Sequence, residues 1–260
     1  MSAAPMETII LETGPTTPLD TNQAIVDRVC YLVYQRVKSW DSSHDYQHAS
    51  RVTKTIMTSC SELRPTVEGV SDEDVSLVAV VAGLAHDLID PKYVADCDSA
   101  ATQLRSELLE CGMANELIDG VLLVIQNMSY SKEKRFGVDY AKLGRWGEIR
   151  DIVSDADKID ALGQIGIHRC EEFARKLHAD RFTRENDDRG DCFTRENGEQ
   201  SDRGISSELD ADTLRKEVVK HCHEKLLHLL PEYIRTEPGK RLAAPLHQEI
   251  VTWVTINGSL

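Results

Sequence analysis

The chain has 260 residues and a formal net charge of −14, with 41% hydrophobic and 28% charged residues. These values are ordinary for a globular protein and exclude a fibrous or wholly disordered chain. No run of lysine and arginine is present to contact phosphates, so the acidic balance argues against binding to a nucleic-acid polymer or an anionic membrane.

The cysteines and the N-terminal residues indicate the cellular compartment of the protein. The seven cysteines include no CxxC pair, which fits a reducing environment, and the first residues show no signal or transit pattern. The longest apolar run, 75–85, is far shorter than the ~20 residues of a membrane span. We therefore expect a soluble cytoplasmic protein.

Helical spacing of apolar residues begins after residues 1–18, which lack periodicity and are expected to form a flexible tail. The first amphipathic stripe consists of Val26, Val29, Val33 and Val37. The apolar run that follows Ser71, a residue suited to capping a helix N-terminus, predicts a buried helix.

Further helices are predicted at about 94–112 and 114–128, and a polar loop at 129–147 leads into one long helix from about Glu148. Alternation typical of a strand is absent from the sequence. Residues 178–208 contain "RFTREN" and "CFTREN" in a highly polar stretch, which we interpret as a disordered insertion. The pattern predicts a single all-α domain over residues 19–260, interrupted by that insertion.

Three short fragments carry the residues suited to chemistry. They are "HDYQHASRV" at 44–52, "HDLIDPK" at 86–92 and "DADKIDALG" at 155–163. Each alone is a weak signal, but together they follow the order H…HD…D, whose imidazole nitrogens and carboxylate oxygens suit a divalent transition metal or magnesium.

This order resembles the HD-domain superfamily of metal-dependent phosphohydrolases, and the ending "KLLHLLPEYIRTEPGKRLA" is similar to a small nucleoside triphosphate pyrophosphohydrolase-like branch. The resemblance implies a single HD-domain helical bundle with metal ligands His48, His86, Asp87 and Asp157. Asp155 remains the alternative fourth ligand. Residues two apart on a helix point to different sides, so only one of Asp155 and Asp157 should face the metal. Binuclear members of that superfamily carry further histidines between the HD pair and the last aspartate, and no histidine lies between Asp87 and Asp157 here. The resemblance therefore implies one metal ion: Mn²⁺, Fe²⁺, Co²⁺, Ni²⁺, Zn²⁺ or Mg²⁺.

Roles beside the metal are expected for further residues of these fragments and for Ser131. Asp87, Asp90 and Lys92 are the candidate catalytic residues, with Asp90 positioning or deprotonating a metal-activated water. Phosphate oxygens of the substrate would be contacted by His44, Arg51, Lys92 and Ser131.

The expected activity is hydrolysis of a nucleotide or another small phosphate ester or anhydride. One departure from the branch is Met128, which stands where a histidine is usual and leaves the substrate open. Two alternatives stay open: a noncatalytic metal- or nucleotide-binding sensor or interaction module, and a 5′-nucleotidase or phosphodiesterase on the same fold. A homodimer is also left open.

Overall fold

The computed structural model describes residues 21–41, 43–190 and 209–258, with side chains described outside 180–190. Over these residues the fold is all-α, without a strand, which confirms the predicted fold class. The helices are α1 (Thr21–Val37), α2 (Tyr46–Leu63), α3 (Asp72–Ala85), α4 (Cys97–Glu110), α5 (Asn115–Gln126), α6 (Tyr130–Phe136), α7 (Tyr140–Leu143), α8 (Gly147–Asp160), α9 (Gly163–Gly190), α10 (Ala211–His221) and α11 (Glu237–Asn257). Short 3₁₀ turns at His86–Ile89 and Gly144–Trp146 and π-helical segments at Cys222–Leu226 and Leu229–Tyr233 complete them. In this described part, every helix is too short or too polar to cross a bilayer.

The larger hydrophobic core surrounds α3. This helix is apolar around nearly its whole circumference, and almost every residue from Val75 to Ala85 is buried. A helix of that kind must be covered on all sides, and α1, α2, α5 and α8 pack against it. As predicted, Ser71 caps the N-terminus of α3 by accepting a hydrogen bond from the N–H of Asp74.

A close approach between α2 and α3 occurs at Gly83. A Cβ added at this position would collide with Cδ1 of Ile56, a fully buried side chain of α2. Glycine therefore lets the two helices pack at short range just before the chain reaches His86. The residue that allows this packing thus lies one turn before the chemically informative "HDLID" stretch.

A second core joins α9, α10, the π-helical segments and α11, and the last turns of α8 connect it to the first core. The single long helix expected from Glu148 is wrong, since α8 ends at Asp160 and α9 begins at Gly163. Gly163 adopts φ +67°, a left-handed conformation that favours glycine and ends the run of helical geometry.

The other expected segments differ in detail. The predicted loop at 129–147 includes the short helices α6 and α7. Of the expected insertion, residues 178–190 continue the backbone of α9, while 191–208 lie outside the described residues. The expected tail at 1–18 lies outside them as well.

A buried charge cluster ties α6 to α8 and to the segment before α11. Glu133 Oε2 accepts from Arg150 Nη2 and Lys158 Nζ, each at 2.8 Å, and Oε1 accepts from Arg235 Nε at 3.0 Å. Burial would raise the pKa of Glu133, but the hydrogen bond from Arg150 and the charge of Lys158 lower it to about 2. The carboxylate is therefore ionised although only 2% of its side chain is exposed.

Replacing Glu133 by glutamine should lower the free energy of unfolding by about 3 kcal/mol, because several cations then lose their buried counter-charge. The folded pKa of about 2 lies below the ordinary value of 4.5. The stabilisation by the carboxylate is thus complete above pH 4.5 and is lost as pH falls towards 2. Urea unfolding at pH 7 and pH 3 measures both effects. The matched control, Glu237→Gln, changes an exposed i,i+3 pair with Lys240 and should have little effect. Equal stability of wild type and Glu133→Gln at pH 7 would contradict the role of the cluster.

Candidate metal centre

His86 and Asp87 are held by the end of α3. The helix passes directly into the 3₁₀ turn His86–Ile89, in which His86, Leu88 and Ile89 are buried. Because α3 is covered by four helices, this turn is anchored in the larger core. The "HDLID" stretch is thus both a helix end and a rigid support for two polar side chains.

His48 and Asp157 reach the same place from α2 and α8. Asp45 caps α2 by accepting from the N–H of His48, and the His48 side chain is fully buried. His48 Nε2 lies 3.1 Å from His86 Nε2, 3.4 Å from Asp87 Oδ2 and 3.5 Å from Asp157 Oδ1. His86 Nε2 lies 3.3 Å from Asp87 Oδ1 and 3.7 Å from Asp157 Oδ1. We call these four residues the candidate metal centre.

Hydrogen bonds of the Nδ1 atoms fix the orientation of the two histidine rings. His86 Nδ1 lies 2.8 Å from the carbonyl oxygen of Gly83, and His48 Nδ1 lies 2.7 Å from Asp160 Oδ2. A carbonyl and a carboxylate only accept, so both Nδ1 atoms carry a proton and both Nε2 atoms face the centre.

This arrangement fits a bound cation. The Nε2 atoms of His48 and His86 lie 3.1 Å apart and 3.3–3.7 Å from carboxylate oxygens of Asp87 and Asp157. When Nε2 is deprotonated, its lone pair and the carboxylates are all available to a cation. Ligand atoms of His48, His86 and Asp87 all lie within 4.8 Å of one another. A mixed nitrogen and oxygen set of this kind suits a divalent metal ion.

The pKa shifts have the same electrostatic cause. Burial alone would lower the pKa of His86, but the charges of Asp87 and Asp157 raise it to about 9. Burial would raise the pKa of Asp157, yet the hydrogen bond and charge of His86 hold it well below the ordinary value. The centre therefore carries excess negative potential that a cation can neutralise.

Asp155, the alternative ligand, points elsewhere. Its Oδ2 accepts hydrogen bonds from the N–H of Thr236 at 2.7 Å and from the Thr236 hydroxyl at 2.8 Å, and Oδ1 accepts from the N–H of Arg235 at 3.0 Å. The carboxylate fixes the backbone just before α11. Of the two aspartates in "DAD", the structure brings Asp157 to the histidines.

Asp160 is a residue that the sequence reasoning missed. Besides His48 it accepts hydrogen bonds from Arg51 Nε at 2.7 Å and Arg169 Nη1 at 3.0 Å, and its side chain is buried. Burial would raise the pKa of Asp160, but hydrogen bonds from His48 and Arg51 lower it. The ionised carboxylate orients the His48 ring towards the centre. Its position three residues after Asp157 was the available signal, since such residues share a helix face.

Comparison with known proteins adds to this geometry. No protein-family model matches the chain. Over 148 residues it is 28% identical to the uncharacterized protein YpgQ of Bacillus subtilis (strain 168), a match covering 54% of this chain and 65% of that protein. The match thus spans slightly less than two thirds of the relative's length.

Solved structures extend the likeness to most of the chain. The crystal structure of Bacillus subtilis YpgQ in complex with ADP superposes with a TM-score of 0.59 at 19% identity, covering 91% of this chain and 95% of that chain. An HD-superfamily hydrolase from Bacillus thuringiensis gives a TM-score of 0.54 at 21% identity, covering 90% and 95%. The chain has the HD-superfamily fold. The expected helical bundle is therefore confirmed.

The side chains expected to contact phosphate differ in their exposure to solvent. The Arg51 guanidinium is bound to Asp160, and about a third of its side chain is exposed. Lys92 is about half exposed, with its Nζ 3.9 Å from Asp90 Oδ2. Asp90 Oδ1 accepts from the N–H of Lys92 at 2.8 Å and stabilises the chain after the 3₁₀ turn.

His44 lies beside His48, with 5.7 Å between the ring centroids. Its Nδ1 is 2.7 Å from Ser43 Oγ and 2.6 Å from the Tyr93 hydroxyl. Burial lowers the pKa of His44 to about 4, although the charge of Asp87 acts in the opposite direction. The ring is neutral at physiological pH and is an uncharged hydrogen-bonding group at the edge of the centre.

Ser131 and Met128 lie around the start of α6. Ser131 is exposed in the first turn of α6, whose N-terminus is capped by Ser129. Met128 is 8% exposed and packs in the larger core. The methionine therefore contributes to packing at the position where the similar branch has a histidine.

If Asp157 faces the metal and Asp155 fixes the backbone, substitutions of the two aspartates should affect different properties, metal affinity and stability. Asp157→Asn should weaken the binding of Mn²⁺ or Co²⁺ by more than about 100-fold, because a charged ligand is lost. Asp155→Asn should leave metal affinity nearly unchanged and lower the free energy of unfolding by about 1–3 kcal/mol, because buried hydrogen bonds are weakened. Chelator competition and urea unfolding measure the two effects. The reverse pattern would make Asp155 the ligand.

Asp160→Asn should reduce metal affinity by about 10–100-fold, because the amide holds the His48 Nδ1 proton less strongly. Chelator competition with Co²⁺ measures the affinity, and the Co²⁺ absorption spectrum reports a change in the ligand field. Asp119→Asn, an exposed change on α5, is the matched control. Identical affinity and spectrum in Asp160→Asn and wild type would show that the carboxylate does not orient His48.

Proposed function

We propose that the protein is a metal-dependent phosphohydrolase acting on a nucleotide or another small phosphate ester or anhydride. The observation that carries this proposal is the convergence of His48 Nε2, His86 Nε2 and the carboxylates of Asp87 and Asp157 on one point. His48, His86, Asp87 and Asp157 would hold one divalent ion. The ion when bound supplies Lewis acidity towards a phosphoryl oxygen and lowers the pKa of a coordinated water.

Comparisons support the proposal at the level of the fold. One structural neighbour is described as an HD-superfamily hydrolase, and another, YpgQ, was crystallised with ADP. A nucleotide is therefore a reasonable ligand class for this chain. The metal identity stays among Mn²⁺, Fe²⁺, Co²⁺, Ni²⁺, Zn²⁺ and Mg²⁺.

The surrounding side chains have proposed roles that follow from their charge. Lys92 would neutralise a phosphate oxygen, since its ammonium is only loosely paired with Asp90 at 3.9 Å. Arg51 would bind phosphate through the guanidinium edge not directed at Asp160. His44 would donate one neutral hydrogen bond, and Ser131 would offer a hydroxyl from the first turn of α6.

Asp90 is proposed to position a water or to accept its proton. One carboxylate oxygen of Asp90 is bound to the N–H of Lys92, which restrains the side chain while about a quarter of it stays exposed. A restrained, partly exposed carboxylate near a phosphate site can act as a base. Asp87 would contribute as a ligand next to the reacting group.

A noncatalytic sensor is the alternative that one observation favours. Met128 is buried and offers no polar contact to a phosphate, so part of the pattern of the similar branch is missing. A sensor would bind nucleotide without turnover. A 5′-nucleotidase would release orthophosphate from monophosphates, and a pyrophosphohydrolase would release pyrophosphate from triphosphates.

The deciding experiment is hydrolysis of a panel of nucleoside mono-, di- and triphosphates with Mn²⁺, Co²⁺ or Mg²⁺. Asp87→Ala should reduce turnover by more than about 100-fold, because the metal loses a ligand. Asp119→Ala, an exposed aspartate on α5, is the matched control and should retain activity. Equal turnover in Asp87→Ala and wild type, or nucleotide binding without turnover under every metal, would refute the enzymatic proposal. The released product identifies the bond that is cleaved.

A further inference from the structure

Lys225 lies on an unusual stretch of backbone near the candidate metal centre. It belongs to the π-helical segment Cys222–Leu226, which continues directly from α10. Cys222 and Leu226 of this segment are buried in the second core and fix its position. Single π-helical turns widen a helix locally and often occur at functional positions.

The ammonium of Lys225 lacks a counter-ion within the described part of the chain. No carboxylate oxygen there lies within 4.0 Å of its Nζ, and the group instead lies 5.1 Å from the centroid of the Tyr130 ring. The ring face attracts a cation but offsets only part of the cost of removing it from water. Burial accordingly lowers the pKa of Lys225, while the negative charge of Asp157 acts to raise it.

Charges around Lys225 connect it to the centre. Asp157 and the cations Lys92 and Arg169 all act electrostatically on its ammonium. Arg169 is already committed to Asp160 and to the carbonyl oxygen of Ser43, at 2.8–3.0 Å. Lys225 is thus a half-buried positive charge that the carboxylate of Asp157 attracts, and no carboxylate among the described residues forms an ion pair with it.

Net charge supports an anionic ligand at this position. With a divalent ion bound, the carboxylates of Asp87 and Asp157 are neutralised. Around them lie four cations and three further carboxylates, which leaves one positive charge in excess; the residues are Arg51, Lys92, Arg169, Lys225, Asp45, Asp90 and Asp160. An excess of positive charge beside a metal favours phosphate groups.

We propose that Lys225 is a substrate-positioning residue that binds a phosphate oxygen on the Asp157 side of the metal. The inference rests on the proposed function in one respect only, that a phosphate-bearing molecule occupies the centre. Lys225 approaches from the second core, whereas Lys92 follows the 3₁₀ turn of the larger core. A bound phosphate would therefore be held between the two cores.

The test uses the full chain and inorganic pyrophosphate as the probe. Lys225→Met removes the charge and keeps the length of the stem, Lys225→Arg keeps a cation, and Lys220→Met changes an exposed lysine of α10 as the matched control. Calorimetric titration of pyrophosphate with Mn²⁺ should show about tenfold weaker binding for Lys225→Met, because a charge-assisted hydrogen bond is lost, and chelation should weaken binding by both proteins. Lys225→Arg should recover most of the affinity, and Lys220→Met should equal wild type.

Thermal unfolding without ligand separates binding from folding. Because the methionine removes a buried, unpaired charge, Lys225→Met should unfold at the wild-type temperature or above it. Pyrophosphate should raise that temperature in wild type and much less in the variant. A lower unfolding temperature that arginine does not restore would mean a structural role and would overturn the proposal. Wild-type affinity for pyrophosphate in Lys225→Met, or no binding by wild type, would overturn it as well.

Kinetics distinguish this inference from the proposed function. For a nucleotide that is hydrolysed, Lys225→Met should raise KM by about tenfold and change kcat less, because the contact positions a phosphate that is already bound in the ground state. Pyrophosphate binding that depends on Lys225, in a protein that hydrolyses nothing, would contradict the proposed function alone. Turnover that requires Asp87 but is indifferent to Lys225 would contradict this inference alone.

Discussion

Both histidine rings of the candidate metal centre are fixed by hydrogen bonds from Nδ1, and the chemistry of the site depends on that constraint. His86 donates to the carbonyl oxygen of Gly83, in the last turn of α3, whereas His48 donates to Asp160, 112 residues away in sequence. With both Nδ1 protons held outward, both Nε2 atoms face the two carboxylates. The convergence of these four side chains is therefore a consequence of how α2, α3 and α8 pack, since no single helix provides it.

Helix α8 divides three tasks among three aspartates. Asp155 fixes the backbone before α11, Asp157 faces the histidines, and Asp160 orients one of them. A rotation of about 100° per residue places the first of these well away from the other two. Because α8 also takes part in both hydrophobic cores, the helix transmits the packing of the C-terminal elements to the centre.

The all-α class could be predicted from apolar periodicity, and the proposed ligands from short motifs with characteristic spacing. What the sequence did not indicate is how the charges around them are paired. Spacing alone places Asp160 on the same helix face as Asp157, but only the structure shows that His48 and Arg51 bind it. Lys225 likewise becomes a candidate phosphate-binding residue only when the structure shows its π-helical backbone and the absence of a carboxylate partner within the described residues. Pairing of this kind depends on contacts between distant segments, which local patterns do not encode.

Gly83 contributes both to helix packing and to the orientation of the His86 ring. The missing side chain allows α2 to pack closely on α3, and the carbonyl oxygen of the same residue holds the proton of the His86 ring. Any side chain at position 83 would have to displace Cδ1 of Ile56 within a fully buried neighbourhood, and a backbone shift that relieved this collision would move the acceptor of the His86 Nδ1 proton. A loss of packing between α2 and α3 and a loss of His86 orientation would then have one steric origin, so the phenotype of a variant at this position could not by itself assign the residue to folding or to function.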